Sequence, residues 1–198
     1  MLISEYSANF LNNIFDNYKD HTETNGTKRF HPDANTIKQV LREIRLAPND
    51  CDFIRIEETS NQLAVPPHTD APQGKTTIIV PLCFTGQVHS ITFNSFFTSE
   101  NHPTGIKYRP SSKEYYSNET LPQGEVPSGL SKKPFYDKKY GKLLSYLPVH
   151  DLVGLKIEKV FQWKKRKVMK FRSDQLHCGS VFKGSKRWLL ILAENNLQ

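Results

Sequence analysis

The run Thr76-Thr77-Ile78-Ile79-Val80-Pro81-Leu82 is the clearest strand signal in the chain. β-Branched and aliphatic residues follow one another there without a charged side chain, which is typical of a strand buried on both faces. Six further short runs rich in β-branched and aromatic residues are separated by turn-forming residues and cover 53–56, 88–93, 155–163, 168–171, 178–182 and 187–193. So many short strands predict a mainly β protein, a sandwich or a barrel.

Ahead of these strands, the sequence has a helical pattern. Within Ser4–Lys19 the apolar side chains recur every three to four residues, and Ser4 is a suitable N-cap. A polar break over 21–28 precedes a second predicted helix, with Asn35 as its cap and one apolar face formed by Ile37, Val40, Leu41 and Ile44. Residues 1–50 are therefore predicted to form a helical cap.

We expect a single domain over residues 1–198. It would consist of the helical cap 1–50, barrel strands over 52–93 and 152–193, and an insertion over 95–148 that is rich in Tyr, Pro and Lys. A stretch this long without periodicity is typical of a lid or a binding loop. The alternative is a variable insertion that only packs on the barrel. Substrate contacts are expected from its tyrosines, Tyr108, Tyr115, Tyr116, Tyr136 and Tyr140.

Composition excludes several classes of protein. No apolar run approaches the roughly 18 residues of a membrane span, so no membrane association is predicted. Neither a signal sequence nor a disulfide framework is indicated, because the start is not basic and apolar and the chain has three cysteines. We therefore expect a cytoplasmic protein.

Charge is unevenly distributed along the chain. Residues 1–100 carry 8 Lys/Arg against 12 Asp/Glu, whereas residues 101–198 carry 19 against 8. A basic half can attract nucleic acid or an anionic substrate. The run Lys164-Lys165-Arg166-Lys167 is interpreted as the turn of a hairpin between strands that end at Trp163 and begin at Val168.

His68-Thr69-Asp70 is the candidate metal motif. On a strand, residues i and i+2 point to the same face, so both side chains can reach one ion. With a distant histidine they would form the two-histidine, one-carboxylate triad of non-haem Fe(II) oxygenases. A second copy, His31-Pro32-Asp33, precedes a predicted helix and is interpreted as a turn.

The third ligand is expected from a later strand. His177 opens a predicted hairpin of 176–182 and 187–193, turned at Lys183-Gly184-Ser185. In that hairpin the side chain of Arg187 could reach back toward a carboxylate held near the metal. Cys178, next to His177, is expected to point to the opposite face and to be a buried, inert thiol.

In this order, His68, Asp70, His177 and Arg187 resemble the Fe(II)/2-oxoglutarate-dependent dioxygenases. Pro67-His68-Thr69-Asp70 and the text SDQLHC at 173–178 are similar to the metal-binding strands of small prolyl-hydroxylase-like members. The resemblance implies a double-stranded β-helix of jelly-roll or cupin type with flanking N-terminal helices. It also implies that His68, Asp70 and His177 hold Fe(II), and that Arg187 pairs with the distal carboxylate of 2-oxoglutarate.

Three positions depart from the patterns of that family. Leu189 stands where many relatives have a serine, so another hydroxyl must contact the carboxylate, and Thr77 is one candidate. Ala193 replaces the second arginine of the alkylated-base demethylases, which weighs against a nucleic-acid substrate. Asp70 is a carboxylate where related halogenases have a small residue, which weighs against halogenation.

The resemblance implies an O2-consuming hydroxylase that releases succinate and CO2. Its substrate would be a protein side chain of the prolyl type or a small metabolite. Two alternatives remain at this point. One is a barrel that binds a metal or ligand without catalysis, and the other is a nucleic-acid-binding protein whose histidines are incidental.

Overall fold

The computed structural model describes residues 1–24, 26–60, 67–70, 74–95, 107–109, 114–116, 120–122, 138–147, 152 and 155–194. The helices are α1 (Glu5–Asn17), α2 (Lys38–Glu43) and α3 (Lys138–Gly141), with 3₁₀ turns at Pro48–Asp50 and Lys142–Leu144. The first strands are β1 (Thr22–Thr24), β2 (Thr27–Phe30), β3 (Cys51–Thr59), β4 (Lys75–Phe84) and β5 (His89–Ser95). The later ones are β6 (Lys107–Arg109), β7 (Glu114–Tyr116), β8 (Thr120–Pro122), β9 (Leu155–Gln162), β10 (Met169–Arg172), β11 (Leu176–Gly179) and β12 (Lys186–Glu194).

Two antiparallel sheets dominate the fold. The larger has the strand order β1-β2-β3-β12-β4-β10, and the smaller has the order β11-β5-β9, to which a bridge between His68 and His177 adds a further edge. Strands β6, β7 and β8 form a separate small sheet. The prediction of a mainly β protein is confirmed, and the two sheets are consistent with a β-sandwich of jelly-roll type.

The helical cap covers the outer face of the larger sheet. Ser4 caps α1 by accepting a hydrogen bond from the backbone N–H of Ser7, as predicted. The hydroxyls of Ser4 and Ser7 both donate to Glu43, which joins α1 to α2. Between helices and sheet lies an apolar core that includes Leu11, Phe15, Val40, Leu41, Ile44, Ile56, Ile78, Val80, Leu189 and Ile191.

Two further apolar clusters hold the smaller sheet. One lies between the sheets and contains Ile79, Val88, Trp163, Met169, Phe182 and Leu190. The other covers the outer face of the smaller sheet and contains Ile91, Phe93, Leu144, Leu147, Leu152, Leu155, Leu176 and Cys178. Both faces of each central strand are thus buried.

The N-terminal region differs from the prediction in two places. The expected polar break over 21–28 contains the hairpin of β1 and β2, which extends the larger sheet beyond β3. The second helix begins at Lys38 and is not capped by Asn35. Instead, the backbone N–H of Asn35 donates to the Asp33 carboxylate, so His31-Pro32-Asp33 belongs to a turn, as expected.

Two predicted hairpins are absent because their strands lie in different sheets. Strand β11 pairs with β5, whereas β12 pairs with β3 and β4. Likewise β9 pairs with β5 and β10 pairs with β4, so the basic run at 164–167 turns a corner between the sheets. In that corner the backbone N–H of Ile3 donates to the Arg166 carbonyl.

Most of the insertion at 95–148 lies outside the described residues, Tyr136 among it. Its described end, 138–147, packs on the smaller sheet, where the Val181 N–H donates to the Leu143 carbonyl. Cys51, Cys83 and Cys178 are all free thiols. Among the helices that the structure describes, none is long and apolar enough to cross a membrane.

Candidate metal centre

The structure brings His68, Asp70 and His177 together at one edge of the cleft between the sheets. One ligand atom from each lies within 4.8 Å of the other two. Nε2 of His177 is 3.3 Å from Asp70 Oδ2, and Nε2 of His68 is 3.8 Å from Asp70 Oδ1. The His177 side chain is 8% exposed and that of His68 is 32% exposed, so the cluster opens toward the His68 side.

Backbone pairing sets this geometry. His68 and His177 exchange both backbone hydrogen bonds, at 3.0 and 2.9 Å. The Asp70 N–H donates to the carbonyl of Ser173, the first residue of the turn between β10 and β11. As a result, the imidazole rings of His68 and His177 lie with centroids 4.6 Å apart and planes tilted by 50°, and Asp70 lies beside both.

Neighbouring side chains fix the orientation of the three groups. Nδ1 of His177 is 2.9 Å from the Gln175 carbonyl, a contact that requires the proton on Nδ1 and leaves Nε2 as the free lone pair. The Thr77 hydroxyl donates to Asp70 Oδ2 at 2.8 Å. Phe171 packs against the His177 ring at 4.7 Å. Such supporting contacts are typical of metal ligands.

The donor set fits a divalent transition metal. Two imidazole nitrogens and one carboxylate on one side of an ion leave its other positions open, which is the arrangement of non-haem Fe(II) sites. Thr77 was expected to help bind a cosubstrate carboxylate. It contacts the Asp70 carboxylate instead, so its role here is to position a ligand.

A cavity of about 250 Å³ extends from the triad into the cleft. Alternate residues of β12, namely Lys186, Trp188 and Leu190, line it from the larger sheet. Since successive residues of a strand point to opposite faces, Arg187 and Leu189 point away from it.

The expected role of Arg187 is therefore wrong. Its guanidinium lies on the helical side of the sheet, where it donates to Glu58, Asn12 and Asp16 at 2.9, 3.0 and 2.7 Å. It also packs over the Phe15 ring at 4.4 Å. The error came from the assumed hairpin, because β12 lies in the other sheet and presents Lys186, Trp188 and Leu190 to the cavity.

Lys186 is the basic residue of β12 that faces the cavity. Its ammonium lies 4.3, 5.3 and 5.6 Å from the ring centroids of Phe182, Trp188 and Trp163. Among the described residues, no carboxylate pairs with it within 4.0 Å. Burial in this aromatic setting lowers the pKa of Lys186 to about 8, although the charge of Glu57 opposes the shift.

Several cavity residues were missed in the sequence. Arg29 lies on β2, which was interpreted as a break because its residues are polar, and Arg55 and Glu57 lie on β3. Tyr146 lines the cavity and donates to the Gly179 carbonyl at 2.6 Å. A weak signal existed for β3, where the sequence Arg-Ile-Glu alternates polar and apolar residues.

Cys178 behaves as predicted. Its side chain is 1% exposed and belongs to the apolar cluster on the outer face of the smaller sheet. Burial raises the pKa of this thiol to about 12. The thiol is therefore protonated at neutral pH, and it lies outside the cluster of His68, Asp70 and His177.

Fold and site together define a mainly β protein with a His-Asp-His cluster in the cleft between two antiparallel sheets. No model of a protein family matches the chain, and no curated protein matches it. Similar solved structures include an X-ray structure of E. coli ycfD, with 13% identity and a TM-score of 0.44 over 92% of this chain. A crystal structure of Escherichia coli ribosomal oxygenase YcfD has 8% identity and a TM-score of 0.43 over 91% of it. The chain covers 38% and 36% of those two chains.

Proposed function

We propose that the chain is an Fe(II)- and 2-oxoglutarate-dependent dioxygenase that hydroxylates a peptide side chain or a small metabolite. The observation that carries this proposal is the triad of His68, Asp70 and His177 at a cavity that also holds the partly buried cation Lys186. The orders β3-β12-β4-β10 and His68-β11-β5-β9 in the two sheets support the proposal of a double-stranded β-helix.

In this proposal His68, Asp70 and His177 hold the metal, while Thr77 and the Gln175 carbonyl keep two of these ligands in place. Bound Fe(II), with 2-oxoglutarate and O2, would supply the oxidative chemistry that side chains lack. The rings of Trp188 and Phe182 line the cavity, and the Phe171 ring packs against His177, so the surroundings of the site are largely apolar.

In this proposal Lys186 binds the distal carboxylate of 2-oxoglutarate, the role that the sequence had suggested for Arg187. A Cβ on Gly179 would lie 3.3 Å from the Lys186 ammonium, so the ammonium sits beside Gly179. Gly179 is two residues from His177 on the same face of β11, about 6–7 Å along the strand. This separation suits a five-carbon diacid that chelates the metal at one end and meets Lys186 at the other.

Ser90 is the proposed hydroxyl partner of the same carboxylate. It pairs with Gly179 across β5 and β11 and lines the cavity. Its oxygen accepts a hydrogen bond from Trp163 Nε1 at 2.9 Å, which orients the hydroxyl group. A buried hydroxyl and a buried cation together would neutralise and orient a carboxylate.

The test is the joint binding of metal and cosubstrate. Anaerobic wild-type protein with Fe(II) and 2-oxoglutarate should develop a metal-to-ligand charge-transfer absorption band, and with O2 it should form succinate. His177→Ala should lose both signals, whereas His31→Ala, an exposed histidine in the other His-x-Asp copy, should keep them. Fe(II) binding with neither band nor succinate would indicate the non-catalytic metal-binding barrel instead.

A further inference from the structure

The flank of the cavity on β2 and β3 holds a cluster of three charged residues, Arg29, Arg55 and Glu57, here called the arginine flank. Nε and Nη2 of Arg55 both approach Glu57 Oε1, at 2.7 and 2.5 Å. Nε of Arg29 lies 3.4 Å from Glu57 Oε2. The Glu57 side chain is 7% exposed, and those of Arg29 and Arg55 are 24% and 26% exposed. One buried carboxylate therefore faces two guanidinium groups that reach the cavity.

The two arginines are not equally engaged. Arg55 is fixed by its double contact with Glu57 and by the Phe53 ring, 5.0 Å below its guanidinium carbon. Arg29 makes one long contact, and within the described chain its two Nη groups have no acceptor. Since Glu57 neutralises one cation, the flank keeps one positive charge and, among the described residues, a guanidinium fork whose Nη donors meet no acceptor.

The arginine flank and Lys186 are separate positions in the same cavity. Across the larger sheet, Glu57 pairs with Arg29 on one side and with Trp188 on the other. Lys186 pairs with Thr59, two residues further along β3, so it lies next to the arginine flank and not within it. The cavity, about 250 Å³, is smaller than the roughly 300–1,000 Å³ that hold a drug-sized molecule. It has room for a cosubstrate and one end group of a substrate.

We infer that the arginine flank is a subsite for an oxyanion group, a carboxylate or a phosphate, carried by the substrate itself. This inference rests on the proposed function, because it assigns Lys186 to the cosubstrate. A planar guanidinium fork matches both oxyanions, and it would bind either one more tightly than a neutral isostere. The substrate class is thus narrowed to anionic molecules or anionic peptide ends and side chains.

The test uses the protein loaded anaerobically with Fe(II) and saturating 2-oxoglutarate. Trp163 and Trp188 are the only tryptophans of the chain and both line the cavity, so tryptophan fluorescence reports its occupancy. The probes are N-acetylglutamate amide, its neutral isostere N-acetylglutamine amide, and inorganic phosphate. One of the two anions should bind at least about tenfold more tightly than the neutral amide, and which anion does so identifies the group.

Three variants separate binding from folding. Arg29→Gln should weaken anion binding about tenfold or more. Lys28→Gln removes an exposed cation from the same strand on its other face and should have no effect. Glu57→Gln should tighten anion binding several-fold, because both guanidinium groups then lose their neutralising charge. A merely structural cluster would not give tighter binding in that variant.

Other results would overturn the inference. Equal binding of the acid and the amide, or an Arg29→Gln variant with wild-type affinity, would show that the flank is structural. An anion that excess 2-oxoglutarate displaces would assign the flank to the cosubstrate. If the charge-transfer band forms but no anion binds, the oxyanion subsite is disproved while the proposed dioxygenase function is still supported. If no band forms, the proposed dioxygenase function is disproved, and so is the substrate subsite, which rests on it.

Discussion

The two faces of β12 place adjacent cations in opposite surroundings. On the helical face, the Arg187 guanidinium is shared by Asp16 and Glu58 and rests on the Phe15 ring. On the cavity face, the Lys186 ammonium is surrounded by aromatic rings and pairs with no carboxylate that the structure describes. A cation whose charge is already neutralised holds a fold together, whereas a buried cation without a counter-ion is ready to bind an anion.

The largest expected effect is on the cavity face. Lys186→Met should raise the KM for 2-oxoglutarate about 10- to 100-fold, because a buried carboxylate loses a charge-assisted hydrogen bond. At pH 7 its melting temperature should not fall, since removing a poorly paired buried cation relieves desolvation. Steady-state succinate assays with thermal unfolding test both. Lys183→Met, an exposed lysine in the preceding turn, is the control. An unchanged KM would show that Lys186 does not bind 2-oxoglutarate.

The opposite pattern is expected for Arg187→Leu. Loss of the Arg187 guanidinium should lower the free energy of unfolding by about 1–2 kcal/mol. The variant loses three hydrogen bonds that join β12 to α1 and β3, and their acceptors are partly exposed. The KM for 2-oxoglutarate should stay within about twofold. Urea unfolding measures the first quantity, with the exposed Arg42→Ala as reference. A large rise in KM with unchanged stability would reverse the two assignments.

The cavity face of β4 gives a further contrast between neighbours. Thr77→Val keeps the shape of the side chain but removes the hydroxyl that donates to Asp70, and it should weaken metal affinity about tenfold. Thr76→Val alters the adjacent residue, which points to the other face, and should leave metal affinity unchanged. Anaerobic Fe(II) titration distinguishes the two. Equal Fe(II) affinities in both variants would mean that the hydrogen bond from Thr77 to Asp70 does not contribute to metal binding.

The smallest effect is a pH dependence. Because burial lowers the Lys186 pKa to about 8, the free protein loses this charge above pH 8, and the KM for 2-oxoglutarate should rise up to about tenfold between pH 7 and 9. The Cys178 thiol, whose pKa burial raises to about 12, stays neutral in this range. Lys186→Arg should flatten the profile, since a guanidinium remains protonated. A profile that is equally steep in that variant would point to another group.

The same shift has a consequence for stability. The pKa of Lys186 is lower in the folded protein than its ordinary value of 10.5, so between about pH 8 and 10.5 the unfolded chain binds more protons at this site. The contribution of Lys186 to stability should therefore become less unfavourable as pH rises through this window. The difference in unfolding free energy between wild type and Lys186→Met measures it.

Much of the architecture follows from the local sequence. The helical stripe with its Ser4 cap gave α1 almost to the residue, and the runs of β-branched residues located the strands of both large sheets. The hairpin of β1 and β2 was not predictable in this way, because its burial pattern is mostly exposed or intermediate and its residues are polar. Pairing with β3 stabilises it, and that is a tertiary contact.

By itself the sequence predicted the grouping of His68, Asp70 and His177, because period-2 spacing in His68-Thr69-Asp70 and a histidine opening a later strand are local properties. It also determined that Lys186 and Arg187 point in opposite directions. Only the tertiary structure decided which of them faces the cavity. The middle of β12, 189–191, is buried on both faces, so its apolar run lacks the alternation that would mark one side as the core. The sheet to which each strand belongs is set by packing across the whole domain, and that choice placed Lys186 in the site.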